Sequence, residues 1–266
     1  MRLVSTMAAV LLLAAPAHAQ LAPANAAGIT YGHVHLSVSD LELHKKLWVE
    51  HFGGTVVQKG TLTAVKLPNM LIAFRATAPT GPSEGTSMDH FGFKVRDIQE
   101  VLKSWRAAGY QVQSEFTGSE GFPNAYLVTP DQVRIELQED KTITEKAIGY
   151  HIHFYTPEPE KLRDWYVDLF GLIARPRGKI AIAADVPGMN LSFASSREPR
   201  PGTRGRAIDH IGFEVDNLAE FVKKVEAKGI KLDVAYRDVP AIGLKIAYIT
   251  DPSGVYIELT EGYDEY

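Results

Sequence analysis

The sequence contains no cysteine. Disulfide bridges and thiolate metal ligands are therefore excluded, and so is lipid anchoring through a cysteine. Nor is there an excess of positive charge. The 28 Lys and Arg stand against 32 Asp and Glu, for a net charge of −4 and a pI near 6.1. Without a basic footprint, nucleic acid and anionic lipid are set aside as partners. Long hydrophobic runs are missing too. The apolar stretch at residues 7–15 is too short to span a bilayer. It follows Met1-Arg2 and leads to Ala17-His18-Ala19, a small-x-small site before Gln20, so residues 1–19 read as a cleaved secretory signal peptide with no stable membrane anchor. No paired arginines precede the run, which points to folding after export, in the periplasm or outside the cell.

What is present is a repeat. Asp209-His210-Ile211-Gly212-Phe213-Glu214-Val215 has a near-copy at Asp89-His90-Phe91-Gly92-Phe93-Lys94-Val95, and looser copies begin at His33 and His151. Each copy is a short alternating run opened by histidine. Seven residues after that histidine stands Asp40, Asp97, Glu158 or Asn217, where a helical pattern begins. Ser39 with Glu42 makes a capping box for the first helix. Gly53, Gly109, Gly171 and Gly229 mark the four helix ends, and alternating runs follow each of them. Every unit therefore reads β-α-β-β-β. The stretches 77–86 and 195–206 are linkers by composition, and Arg197, Arg200, Arg204 and Arg206 in the second read as a solvated loop. The offset is 118 from His33 to His151 and 120 from His90 to His210, so the units pair as a duplicated domain, 28–140 and 148–262. The fold class is α+β, with four βαβββ modules in two domains.

The last strand of each domain carries one acid on an otherwise alternating run. In Val133-Arg134-Ile135-Glu136-Leu137 and Val255-Tyr256-Ile257-Glu258-Leu259 the acid points away from the apolar face, as do the strand-opening histidines. The order His-His-Glu recurs at intervals of 57 and 46 (His33, His90, Glu136) and of 59 and 48 (His151, His210, Glu258). Two imidazoles and a carboxylate on one sheet face suit a divalent ion such as Zn, Ni, Mn or Fe, with positions left open for a small-molecule substrate. His35 and His153, two residues further on the same face, are candidate general bases, and Tyr248 is a third candidate catalytic group. His44 and His51 fall in the first helix pattern and read as surface residues.

This pattern resembles the vicinal oxygen chelate superfamily, which includes glyoxalase I, fosfomycin-resistance enzymes, extradiol dioxygenases and bleomycin-resistance proteins. The likeness is carried by His33 and His90 preceding Asp40 and Asp97, and by Asp251-Pro252-Ser253-Gly254 preceding Glu258. It covers nearly all of the mature chain. The resemblance implies half-barrels built from paired modules, with the metal on the concave face held by His33, His90 and Glu136 in one domain and by His151, His210 and Glu258 in the other. It also implies a metal acting as Lewis acid on a chelating, oxygen-rich substrate. The fourth, carboxylate ligand of glyoxalase-like sites aligns near Ala73 and Ser192, so each site has three ligands and is open. Tyr248 to Gly254 with Glu258 fits much of the extradiol dioxygenase signature, but residues 235–247 lack the histidine that signature requires. Lyase or isomerase chemistry is the first expectation and dioxygenation the second. A non-catalytic small-molecule binder is the third. The complete Asp-Pro-x-Gly turn favours the second domain as the active one.

Overall fold

The computed structural model describes residues 21–263 and Tyr266. The signal peptide expected at residues 1–19 lies outside them. The first repeat comprises β1 (Ile29–Val38), α1 (Leu41–Phe52), β2 (Thr55–Lys59), β3 (Leu62–Leu67) and β4 (Met70–Ala76). The second comprises β5 (Met88–Val95), α2 (Ile98–Ala107), β6 (Gln111–Thr117), β7 (Pro123–Val128) and β8 (Arg134–Glu139). The third is β9 (Ala147–Thr156), α3 (Pro159–Phe170), β10 (Ile173–Ala174), β11 (Ala183–Val186) and β12 (Met189–Ser195). The fourth is β13 (Ile208–Val215), α4 (Leu218–Ala227), β14 (Leu232–Val239), β15 (Leu244–Thr250) and β16 (Tyr256–Glu261). No helix among the described residues is long and apolar enough to cross a membrane.

Three helices start on the side chain found seven residues after the histidine. Asp40 accepts from the Leu43 amide at 2.9 Å, Asp97 from Glu100 at 3.0 Å and Asn217 from Glu220 at 3.2 Å. The fourth, α3, has no side-chain cap and begins instead with Pro159, whose missing N–H would be unpaired there anyway. The capping box expected from Ser39 does not form. Ser39 is turned to Asp131, which accepts from its amide and hydroxyl, both at 2.7 Å.

The strands form two eight-stranded sheets, ordered β14-β15-β16-β13-β1-β4-β3-β2 and β10-β11-β12-β9-β5-β8-β7-β6. One sheet therefore joins repeats one and four, and the other joins repeats two and three. Each seam is antiparallel, β1 with β13 and β5 with β9. Repeats that are neighbours in sequence, within 28–140 and within 148–262, therefore do not share a sheet. What neighbours do share is the helical layer. Trp48 and Phe52 of α1 pack on Phe93 of β5, and Phe170 of α3 lies 4.3 Å, ring to ring, from Phe213 of β13. Burying such rings is worth about 2–3 kcal/mol each, and it ties each sequential half together behind the sheets. Val34, Leu36 and Val38 face that core, so His33 and His35 face the opposite, concave side.

Candidate metal centres

The repeated Asp-His-x-Gly-Phe run builds each centre. The Phe goes into the core. The His projects to the concave face, and the preceding Asp accepts from its Nδ1: His210 to Asp209 at 2.6 Å and His90 to Asp89 at 2.8 Å. That bond fixes the tautomer and aims Nε2 into the cluster, an arrangement common to metal-ligating histidines. The Gly is required by a neighbouring ring. Gly212 lies opposite His33 across the seam and Gly92 opposite His151. A Cβ on Gly212 would come within 1.9 Å of the His33 ring, and one on Gly92 within 2.3 Å of the His151 ring.

Repeats one and four make what we term the outer centre. His33 Nε2 and His210 Nε2 lie 3.0 and 3.1 Å from Glu258 Oε2, and His35 completes a group whose ligand atoms all fall within 4.8 Å of one another. Only His35 in this group is more than slightly exposed, so it stands at the open side. Burial alone would lower His210, but its bonds to Asp209 and Glu258 overcome that and raise it to about 9. Burial and the nearby His210 charge push His35 down to about 3, which leaves it neutral. Burial would raise Glu258, yet hydrogen bonds from His210 and His33 hold it well below the usual carboxylate range. Tyr248 is hydrogen-bonded to Glu258, and burial raises its pKa far enough to keep the phenol protonated. The Tyr263 ring covers His33 at 4.6 Å. Three imidazoles and one carboxylate around a common point, with Nδ1 of His33 and His35 unpartnered, fit a divalent metal ion.

Repeats two and three make the inner centre: His90, Glu136, His151 and His153. His90 Nε2 and His151 Nε2 lie 3.0 and 3.1 Å from Glu136 Oε2, and Asn124 donates to the other Glu136 oxygen at 2.6 Å. Here the fourth histidine already has a partner. Arg177 Nη2 donates to His153 Nε2 at 3.0 Å, while its Nε donates to Ser192 Oγ at 3.1 Å and its Nη1 to Glu120 Oε2 at 3.2 Å. Asp89 differs from Asp209 as well, accepting from Arg134 at 2.7 Å and from Arg200 at 3.0 Å. The donor set of the inner centre would suit a metal, but a guanidinium on His153 Nε2 removes one lone pair and sets a fixed positive charge beside the others.

All six proposed ligands sit on the concave faces, in groups different from those expected. His33 joins His210 and Glu258, not His90 and Glu136; His151 joins His90 and Glu136. The intervals are blind to this choice, because Gly92 and Gly212 each offer the same seat for a partner ring. His35 and His153 fall within the clusters, and Tyr248 borders the outer one. His44 and His51 are buried, not surface: His44 meets Asp131 at 3.0 Å and His51 meets Ser104 at 2.8 Å. Arg200 leaves the expected solvated loop to hold Asp89. Sequence reading missed Arg177, Asn124 and the two aspartates. The aspartates could have been found, since an Asp precedes His in both close copies of the motif. A cleft of about 610 Å³ beside Arg96, Glu100 and Lys146 is lined by none of the cluster residues.

Residues 150–259 match the family model described as the glyoxalase/bleomycin resistance protein/dioxygenase superfamily. A lactoylglutathione lyase of Arabidopsis thaliana is 23% identical over 260 residues, covering 87% of this chain and 91% of that protein. A putative lactoylglutathione lyase of Brassica oleracea is 24% identical, with coverages of 84% and 88%. Among solved structures, glyoxalase I from Zea mays superposes with a TM-score of 0.70 at 17% identity, covering 89% of this chain and 94% of that one. A putative dioxygenase from Bacillus subtilis gives 0.67 at 12% identity, with coverages of 88% and 87%. At these identities the structural likeness speaks for the fold alone. Residues 150–259, repeats three and four, thus match the glyoxalase/bleomycin resistance protein/dioxygenase superfamily, and the two sheets of cross-paired βαβββ modules give the whole chain the fold of glyoxalase I.

Proposed function

We propose that the chain is an exported, divalent-metal-dependent, glyoxalase-like enzyme. It acts at its outer centre, by lyase or isomerase chemistry, on a small molecule that chelates through two neighbouring oxygens. The observation that carries this reading is the convergence of His33, His35, His210 and Glu258 with Asp209 already orienting His210. A bound divalent ion would supply Lewis acidity to a substrate carbonyl. The chain's own residues do the rest. Glu258 and the two buried imidazoles hold the charge, and Tyr248 donates to Glu258. His35, the part-exposed member of the cluster, either completes the ligand set or, left off the ion, faces the open side where a substrate proton would be taken. A nitrogen-rich donor set in an oxidising compartment favours Zn or Ni.

A second reading has one observation in its favour. His33, His210 and Glu258 alone form a two-histidine, one-carboxylate set of the kind that non-haem iron oxygenases use. Elemental analysis of protein purified from the periplasm, beside His210→Ala, separates the readings. Bound Zn or Ni, lost in the variant together with turnover of lactoylglutathione (the compound in the relatives' names), supports the lyase. Iron would shift the assignment to dioxygenation. Absence of metal after reconstitution, with ligand binding intact, would leave a binding protein. Amino-terminal sequencing of the same sample tests export, for which a mature start at Gln20 is expected.

A further inference from the structure

The two centres share their histidines and glutamate but not their surroundings. Arg177 bridges to Ile180 just as Lys59 pairs with Leu62, so the two cations occupy corresponding hairpin positions in repeats three and one, an offset of 118. They point to different places. Lys59 lies over the ring of Tyr266, 4.7 Å from its centroid, whereas Arg177 is buried with only 5% exposure against His153. The partners explain the divergence. Ser192, which accepts from Arg177, pairs with His153 across β12 and β9, and Ala73 pairs with His35 at the same register across β4 and β1. Alanine offers no acceptor. Glu120 has no counterpart either, since the corresponding stretch Pro240–Ile242 carries no acid. Glu120 is itself held by the Tyr150 hydroxyl at 2.7–2.8 Å, and Lys179 closes the hairpin by donating its amide to the Ser119 carbonyl at 3.1 Å.

We infer that Arg177 is a built-in cation that takes the place of a divalent ion at the inner centre, so that the chain binds one metal, at the outer centre. Resting on the metal reading proposed above, this adds which of two near-identical donor sets is used and the residue that decides it. The guanidinium supplies what an ion would otherwise supply to this buried cluster. It satisfies the lone pair of His153 and sets positive charge beside Glu136, while Glu120 and Ser192 fix its position. An ion entering the inner centre would have to displace it.

The test is metal stoichiometry, measured by equilibrium dialysis of chelator-treated protein against Zn²⁺ followed by elemental analysis. We expect about one equivalent in the wild type, lost in His210→Ala and kept in His90→Ala, as for a site that depends on its own ligands. Arg177→Met should take up a second equivalent, which His90→Ala then removes. Because Arg177→Met leaves the Glu120 charge without its cation, the double variant Arg177→Met/Glu120→Gln is measured alongside, with circular dichroism confirming the fold. Two equivalents in the wild type, or one still in both folded variants, would overturn the role of Arg177 while leaving the metal reading intact. No metal in the wild type but one equivalent in the variants would uphold the role of Arg177 and remove the outer-centre reading. No metal in any protein would remove both.

Discussion

The outer and inner centres start from the same backbone and the same five-residue run, and they diverge through residues that are not ligands. At the inner centre Ser192, Glu120 and Asn124 turn polar groups toward the cluster; the outer centre has Ala73, Pro240–Ile242 and Ile246 at those places. The inner Asp89 carries two guanidinium groups besides His90, while Asp209 accepts only from His210 and the Gly205 amide. The inner cluster thus meets its charge demand with arginine. Both clusters leave two histidine Nδ1 atoms unpartnered, His33 and His35 in the outer and His151 and His153 in the inner, and both have an aspartate-held histidine of raised pKa, His210 and His90; the arginine on His153 is what separates them. Duplication preserved the donors, and change in their supports separated the roles.

The largest effect expected comes from filling the glycine seats. Gly212→Ala drives a methyl into the His33 ring and Gly92→Ala into the His151 ring, each costing about 3 kcal/mol of stability as overpacking of a closed site. The comparison is sharpened by zinc binding: Gly212→Ala should abolish it, and Gly92→Ala should leave the zinc count unchanged. Equal losses of zinc in both would erase the distinction between the centres.

Next is pH, in metal-free protein. His210 is raised to about 9 in the folded state against an ordinary value near 6.5, so its contribution is complete below about pH 6.5 and is lost as the pH rises through 9. That shift corresponds to something on the order of 3 kcal/mol. His35 and His151 act oppositely. Burial lowers them to about 3 and about 4, so stability falls as acid below pH 6.5 protonates the unfolded chain more readily than the folded one. Denaturant titrations should therefore give a maximum near neutral pH, and His210→Gln should flatten the alkaline limb. An unchanged limb would mean that the Asp209 and Glu258 bonds do not hold the His210 proton.

A third contrast lies in the two aspartates. Asp209→Asn should weaken zinc binding roughly 10–100-fold, the usual cost of removing a group that orients a ligating histidine. Asp89→Asn should leave zinc affinity untouched and lower stability, because Arg134 and Arg200 lose their shared carboxylate. Isothermal titration beside thermal melts reads both quantities.

Much of this was legible in the residues. The alternating runs, the glycine stops and the residue seven after each histidine specified four βαβββ units, because strand period and helix caps are local properties. That His33, His90, Glu136, His151, His210 and Glu258 share the concave faces was legible too, since duplication repeats them in order on alternating strands. Which repeat pairs with which was not, because the Asp-His-x-Gly-Phe run is shared by repeats two and four and either could seat His33. Arg177 was also illegible. It sits in a hairpin without periodicity, and its meaning depends on Ser192 and Glu120, which are 15 and 57 residues away.

The smallest expected effect isolates that dependence. Ser192→Ala removes one of the three bonds that place Arg177 and makes the inner centre resemble Ala73 of the outer one. Losing a neutral acceptor to a buried guanidinium that keeps Glu120 and His153 should cost about 1 kcal/mol. Ala73→Ser, the reciprocal change, should gain nothing, because Lys59 is turned to Tyr266. If Arg177 is held cooperatively, Ser192→Ala also loosens its bond to His153. That is visible as a shift of the His153 side-chain nitrogen resonance, and zinc then competes weakly for the inner centre in Ser192→Ala but not in Ala73→Ser. A Ser192→Ala protein with unaltered stability and an unaltered His153 resonance would assign the placement of Arg177 to Glu120 alone, and with it the divergence of the two centres to a single acid.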